Sequence, residues 1–295
     1  MKKLLICLLL GIDTIQLNAQ QVTYKGEAKD LSFVKINPTV AIYDIAALEA
    51  ANALEMNIVG VSSIPDHLPN IRNKEIANIG GLTKPDLKAL EELQPELIII
   101  SGRQRGKLDS LSQIAPVLQL GIDTKDYLNS LYNQVNTLGK IAGKEKKADH
   151  IVKELQNSIA QYQAQSKTIT NNDAIMMMFM NGKYLGFPSQ SRFGFIYDVL
   201  GFKESSIQMD ASARSNPLTD EQILVADPTY LFIFDRSNLQ GDKLAGKSTI
   251  ETEKIKQTKA YKNGNIIYLT PSLWYLIGGG VNATELMAKE VLNIQ

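Results

Sequence analysis

The chain has 295 residues, 44% of them hydrophobic and 21% charged, which excludes a disordered polymer and leaves room for two domains with their own cores. Lys plus Arg and Asp plus Glu both number 31, so no global field draws the chain to nucleic acid or to an anionic membrane. Electrostatic recognition has to be local, carried by side chains that the fold gathers.

The chain opens on an export signal. Lys2 and Lys3 precede an apolar run from Leu4 to Ile12, and Ala19 closes a small-residue cleavage site with Leu17 at the third position before the cut. The run is too short to span a bilayer. Residues 1–19 are expected to be a signal peptide, cleaved near Ala19, that delivers the protein to the periplasm. Cys7, the single cysteine, lies inside this segment, ahead of where an acylated cysteine would stand. The mature chain is then expected to have no disulfide, no thiol nucleophile and no thiolate metal site.

Residues 20–142 read as a first lobe. Gln20 to Asp30 is polar and expected to be loose. Thr39–Tyr43 and Asn57–Ser62 are strands, separated by an Ala- and Leu-rich helix from Ile45 to Leu54. Pro65, Pro69 and Asn70 mark a loop that also carries His67. Gly80 and Gly81 turn the chain toward a helix starting at Pro85, with Thr83 as its expected cap. That helix ends before Pro95, and Glu96–Ser101 is a strand. Gly-Arg-Gln-Arg-Gly follows at residues 102–106. Ligands of open α/β sheets sit just beyond the carboxyl ends of strands, so Arg103 and Arg105 stand where a ligand would be held. A short helix running into a Pro-broken strand over Asp109–Leu118, and a helix over Lys125–Ala142, complete the lobe.

Residues 143–168 read as a linker helix. From Lys144 to Gln165 apolar residues recur at Ala148, Ile151, Val152, Leu155, Ile159 and Tyr162, one buried stripe of an amphipathic helix. No Gly or Pro interrupts it, and at 1.5 Å per residue it would be roughly 33 Å long. His150 lies on it as a surface or packing residue. Such a helix does not bend sharply without a breaker, which implies a small closure rather than a wide hinge.

Residues 169–295 read as a second lobe built on the same unit as the first. Lys88 to Ile100 is KALEELQPELIII and Glu221 to Ile233 is EQILVADPTYLFI. Each is a turn or two of helix, a Pro that ends it, and an apolar run without alternation, the pattern of a parallel strand buried on both faces. The expected fold is therefore α/β, two Rossmann-like lobes joined by a single long helix with a cleft between them. In the second lobe Ala174–Met180 is a strand whose three consecutive methionines fill core space. A loop over Phe187–Arg192, a helix over Phe193–Leu200 stopped by Gly201, and a loop over Gln208–Pro217 with Arg214 follow. After the helix from Glu221 and the strand Leu231–Phe234 comes Arg236, just as Arg103 follows its counterpart. Ile266–Leu269 is a strand, Pro271–Gly280 holds Trp274 and Tyr275, and a helix over Ala283–Val291 closes the chain.

The residues point to binding rather than turnover. His67 and His150 are the two histidines, and no paired-His motif, Gly-rich phosphate loop or nucleophile elbow occurs. Arginines stand at loop positions of both lobes: Arg103 and Arg105 in the first, Arg192, Arg214 and Arg236 in the second. With Trp274 and Tyr275 they outline a site for a compact polyanion with planar oxygen donors, which the fork-shaped, permanently charged guanidinium suits better than an ammonium. Like charges repel in the empty cleft, and an anion relieves that repulsion.

At these residues the sequence resembles the periplasmic ferric-siderophore binding proteins of ABC importers, which have the class-III periplasmic binding protein fold. Within them it is most similar to the subgroup that takes ferric catecholates such as enterobactin and its linear fragments. The segments that carry the resemblance are PDLKALEELQPELIIISGRQ, SQSRFGFIYDVLGF, TDEQILVADPTYLFIFDRS and GNIIYLTPSLWYLIGGG, and it runs from about Val40 to the C-terminus. The resemblance implies that Arg103, Arg192 and Arg236 hold three catecholate arms, with Arg105 competing for the first place and Arg214 adding a fourth positive group. It implies that Tyr275 ligates Fe(III) when the siderophore leaves coordination sites open. It implies a ferric siderophore as cargo, no intrinsic cofactor, no enzymatic activity, a monomer, and delivery to an inner-membrane ABC permease with its ATPase. Glu221 matches the second-lobe residue that docks on the permease.

Two departures from the family pattern modify this. The loop Asp210–Pro217 holds Arg214 where relatives that complete the iron shell have a His, which favours hexadentate complexes. The first-lobe equivalent of Glu221 is Lys88, so docking there falls to Asp86 or Glu91. The alternative is a haem- or cobalamin-binding protein of the same fold, with Tyr275 as axial ligand and the arginines on the propionates of haem. An enzyme acting on the siderophore, an esterase or reductase, is disfavoured by the lack of a Ser-His-Asp pattern and of a thiol.

Overall fold

The computed structural model describes residues 22–25, 30–33, 36–63, 71, 75–239 and 241–293. The expected signal peptide with Cys7 and Ala19, and the loop carrying His67, lie outside the described residues. The stretch expected to be loose contributes one arm of an antiparallel hairpin, Val22–Lys25 with Asp30–Phe33.

The first lobe consists of β1 (Thr39–Ile42), α1 (Ile45–Ala53), β2 (Asn57–Val61), β3 (Ala77–Asn78), α2 (Leu87–Leu93), β4 (Leu97–Ile100), β5 (Val117–Gln119) and α3 (Tyr127–Ala142). The five strands are parallel in the order β3-β2-β1-β4-β5. All four residues of β4 are fully buried, as an apolar run covered on both faces requires.

The long helix is α4 (Glu145–Ser166), and Ala148, Val152, Leu155 and Ile159 form its buried stripe. Its two ends are tied to different lobes. At the start, Lys144 and Lys147 pair with Glu55 in the turn after α1, at 3.0 and 2.8 Å. At the end, Gln163 Nε2 donates to the Val199 carbonyl at 2.9 Å and Ser166 Oγ to the Leu200 carbonyl at 2.6 Å.

The second lobe consists of β6 (Asp173–Met180), β7 (Lys183–Gly186), β8 (Lys203–Glu204), β9 (Asn216–Leu218), α5 (Asp220–Ala226), β10 (Tyr230–Asp235), β11 (Ile266–Tyr268) and α6 (Val281–Leu292). Its sheet runs β9-β7-β6-β10-β11, with β8 beside β6. Met176, Met177 and Met178 are buried in β6 as core filler. The sheet is mixed: β6 turns back into antiparallel β7 through Asn181-Gly182, both with positive φ (52° and 75°), which is the hairpin turn that an Asn-Gly pair favours.

The repeated unit is built alike in both lobes. Helices α2 and α5 end in left-handed residues, Gln94 (φ 49°) and Asp227 (φ 43°), whose N–H groups return to Leu90 and Ile223 before the Pro that forbids another turn. The expected start of α2 is corrected. Lys84–Pro85 pairs with Gly80–Gly81 in a small antiparallel ladder, and Asp86 rather than Thr83 caps the helix, accepting from the Ala89 N–H at 3.0 Å. Residues 102–107 form a 3-10 turn, and only Phe195–Asp198 of the helix expected over 193–200 is helical.

The lobes share more than a linker. One core runs through α1, α3, α4 and α6 and the inner faces of both sheets, while each outer face has a smaller core of its own. Glu49 of α1 is almost fully buried and accepts from the Ala283 N–H at 3.0 Å, so a first-lobe carboxylate meets the positive end of α6 in the second lobe. Tyr127 of α3 and Thr284 of α6 share a hydrogen bond of 3.0 Å. Among the described residues no helix is long and apolar enough to cross a membrane.

Candidate ligand-binding cleft

The strand order of the first sheet reverses between β1 and β4, the point where open α/β sheets leave a crevice at their carboxyl edge. Two segments project there, Tyr43–Asp44 after β1 and Ser101–Lys107 after β4. The second is fixed from both ends. Ser101 Oγ accepts from the Arg103 N–H, Gln104 Oε1 accepts from the Ser101 N–H, and Gln104 Nε2 donates to the Leu82 carbonyl. A side chain on this turn is therefore presented with little freedom. Arg103 reaches across the lobes, donating from Nη2 to the Tyr275 carbonyl at 2.7 Å and from Nη1 to the Leu276 carbonyl at 3.3 Å. Those carbonyls lie at the end of a π-helical turn, Leu273–Ile277, where helical geometry leaves acceptors unpaired.

Arg236 occupies the same place in the second lobe, on a turn capped by Asp235, which accepts from the Ser237 N–H at 2.9 Å. Its guanidinium carbon stands 4.7 Å from the centroid of the Tyr275 ring. Arg192 stands 4.5 Å from the same ring and 4.8 Å from that of Phe193, and donates to the Tyr275 carbonyl at 3.1 Å. Three guanidinium groups from two lobes thus surround one tyrosine.

The electrostatics follow from this crowding. Arg192 is open to solvent at the mouth but hemmed in by the cleft walls. Desolvation pulls its pKa below the ordinary value, and the charges of Arg103 and Arg214 add to that. Burial pushes the Tyr275 phenol up, but the guanidinium groups of Arg236 and Arg192 outweigh it, and the net pKa lies below the ordinary value. Asp44, fully enclosed at the floor, is raised by burial, opposed by the Ala47 and Ala46 N–H groups and by Arg103. The cavity between the lobes has a volume of about 190 Å³, with Asp44, Ser101 and Arg103 on one side and Arg192, Phe193 and Tyr275 on the other.

The other sequence-derived candidates are placed as follows. Arg105 is exposed on the 3-10 turn and outside the cavity wall. Arg214 is exposed in a loop held by Asp210, which accepts from the Ser212 N–H and Oγ at 2.8 and 2.7 Å; it does not line the cavity, though its charge is felt at Arg192. Trp274 is buried, with Nε1 donating to Glu290 at 2.9 Å, and forms a wall of the cavity rather than a polar contact at its mouth. Glu221 is exposed in the first turn of α5 and paired with Lys254. Lys88 pairs with Glu92 at 3.7 Å, Asp86 caps α2, and Glu91 is exposed.

Sequence reasoning missed Asp44, Phe193, Tyr127 and Gln134. Asp44 carried a usable signal, since it too follows a buried strand. Among the described residues no three His, Cys, Asp or Glu side chains gather to hold a metal ion. The Tyr275 phenol, hydrogen-bonded by Arg236 and Arg192, is a hard oxygen donor among these arginines.

Comparison with known proteins gives a consistent set of matches. The family model for periplasmic binding proteins matches residues 40–273. The chain is 33% identical over 287 residues to the petrobactin-binding protein YclQ of Bacillus subtilis, covering 95% of this chain and 89% of that protein. The YclQ crystal structure superposes with a TM-score of 0.86, covering 93% of this chain and 98% of that one. The ferric-anguibactin-binding protein FatB of Vibrio anguillarum is 27% identical over 265 residues, 86% of this chain and 81% of that protein. The periplasmic catecholate-siderophore binding protein VctP of Vibrio cholerae is 26% identical with a TM-score of 0.81, covering 92% of this chain and 99% of the other.

Proposed function

This chain belongs to the periplasmic binding protein family, with the class-III fold, and from that premise we propose that it is the substrate-binding component of an ABC importer for a ferric siderophore of the catecholate type. It is a carrier and not an enzyme, as its relatives are binding proteins of transporters. The observation that carries the catecholate reading is the convergence of Arg103, Arg192 and Arg236 on Tyr275. A ferric tris-catecholate carries three negative charges on planar oxygen pairs, and three guanidinium groups match it in charge and geometry. The names of YclQ, FatB and VctP, which bind petrobactin, ferric anguibactin and catecholate siderophores, support the same class.

The cleft is prepared for an anion before one arrives. Arginine has five N–H donors, so Arg103 keeps its bonds to the Tyr275 and Leu276 carbonyls while offering others to the cargo. Side chains already held lose little freedom on binding. The lowered pKa of Tyr275 makes its phenolate more available, and a phenolate is a hard oxygen donor suited to Fe(III) in complexes that leave a site open. The protein is exported and monomeric, and it delivers its cargo to a permease with its ATPase. Glu221 serves as the second-lobe contact and Asp86 or Glu91 as the first. The shared core beneath the cleft keeps closure small.

The test is intrinsic fluorescence of Trp274, the single tryptophan and a wall of the cavity. Titration with ferric tris-catechol and with a tetradentate ferric bis-catecholate should quench it saturably. A response to haemin, with a visible absorbance band, and none to ferric catecholates would replace this reading by the haem-carrier alternative.

A further inference from the structure

The inner end of the cleft has a chemistry unlike that of its mouth. Beyond Arg103 and Arg192 the same cavity is walled by Tyr127, Phe195, Trp274 and Met287, with Gln134 among them. The three aromatic rings form a continuous wall, Tyr127 edge-on to Phe195 at 5.2 Å and Phe195 edge-on to Trp274 at 6.0 Å. Their polar atoms are engaged elsewhere: the Tyr127 hydroxyl with Thr284, the Trp274 Nε1 with Glu290. Gln134 differs. It is 3% exposed, it lines the cavity, and both its Nε2 and its Oε1 lack a hydrogen-bonding partner. A buried amide left unpaired on both sides is costly and calls for a partner.

We propose that Gln134 is a specificity-determining residue, and that the inner end of the cleft takes an uncharged amide of the siderophore backbone while the arginine mouth holds the iron chelate. An amide is the complement of the Gln134 side chain: its C=O accepts from Nε2 and its N–H donates to Oε1. The aromatic carbon of these walls suits a planar, uncharged group. An anionic group is disfavoured there because Tyr127, Gln134, Phe195, Trp274 and Met287 supply no cation to balance it. A site that hydrogen-bonds a ligand group through buried polar atoms rejects the analogue lacking that group, because its own atoms are then left unpaired. This inference rests on the ferric-catecholate reading above.

The experiment compares two probes of equal chelate charge, the ferric tris-complexes of catechol and of 2,3-dihydroxybenzamide, of which only the second carries amides. Affinities are measured for the wild type, Gln134→Leu and Gln134→Met, with thermal melting to confirm that each variant is folded. The wild type should favour the benzamide complex, and in both variants that preference should fall by about fivefold or more, the scale of one buried hydrogen bond. A smaller fall, or no preference in the wild type, overturns the proposal and leaves Gln134 satisfied by solvent alone. If the wild type binds neither complex, the ferric-catecholate reading itself fails, and this inference with it. The wild-type titrations alone distinguish the two failures.

Discussion

Arg103 and Arg236 occupy the same place in the two repeats and do different things. Each follows a buried parallel strand on a 3-10 turn that a polar side chain caps, Ser101 in one case and Asp235 in the other. Arg103 crosses between the lobes to hold the Tyr275 and Leu276 carbonyls, whereas Arg236 stays in its own lobe against the Tyr275 ring. The scaffold repeats, but the segment both arginines address does not: there is one π-helical turn at Leu273–Ile277, with its carbonyl end toward Arg103 and its tyrosine ring toward Arg236. A near-symmetric frame around an asymmetric insert yields a cleft in which one arginine ties the lobes together and its counterpart stays within its own lobe.

Substituting the two arginines separately is the sharpest way to break this comparison. Arg236→Ala and Arg103→Ala should each weaken ferric-catecholate binding by about 10- to 100-fold, the range expected for losing hydrogen bonds to a charged group. Only Arg103→Ala should also lower the melting temperature of the empty protein, since of the two arginines only Arg103 bonds across the lobes. Equal melting shifts would remove the distinction.

Glu49 tests a second cross-lobe tie. Glu49→Ala removes the acceptor for the Ala283 N–H at the start of α6 and should cost about 2 kcal/mol in denaturant unfolding. Little change would mean that the shared core and the remaining cross-lobe bonds hold the lobes without it.

The smallest expected effect is on the Tyr275 titration. Its pKa lies below the ordinary phenol value through Arg236 and Arg192, so phenolate forms at lower pH than for a free tyrosine. Arg236→Ala should move that titration to higher pH, while Arg103→Ala should leave it in place. The measurement is the phenolate absorbance difference against the Tyr275→Phe protein. A shift in the Arg103 variant as large as in the Arg236 variant would count against the assignment.

Much of the scaffold was legible in the chain. The stripe of α4, the Pro after α2 and α5, and the apolar run of β4 are local signals: they report backbone period and chain breaks, which neighbours in sequence decide. So is the placement of Arg103 and Arg236 immediately after strands. The misses are those of competing local signals. Asp86 and Thr83 are both good caps, and only the Gly80–Lys84 ladder decides between them. Asn181-Gly182 is a hairpin signal hidden by the methionine-rich strand before it.

The site itself was legible only as a list of candidates. Arg103 and Arg105 look alike in sequence, but on a 3-10 turn successive residues rotate by about 120°, so residues two apart face different sides. That turn brings Arg103 to Tyr275 and leaves Arg105 in solvent. Gln134 reads as an ordinary polar position on a helix, and Glu49 as a charge on an Ala-rich one; both are buried where the lobes meet. Elements and repeat are local properties of the chain, because hydrogen-bonding period and proline act within a few residues. Which arginines share a tyrosine, and which carboxylate caps a helix of the other lobe, follow only from how the lobes pack. Those contacts join residues 172 and 234 positions apart, a separation across which no local pattern carries information.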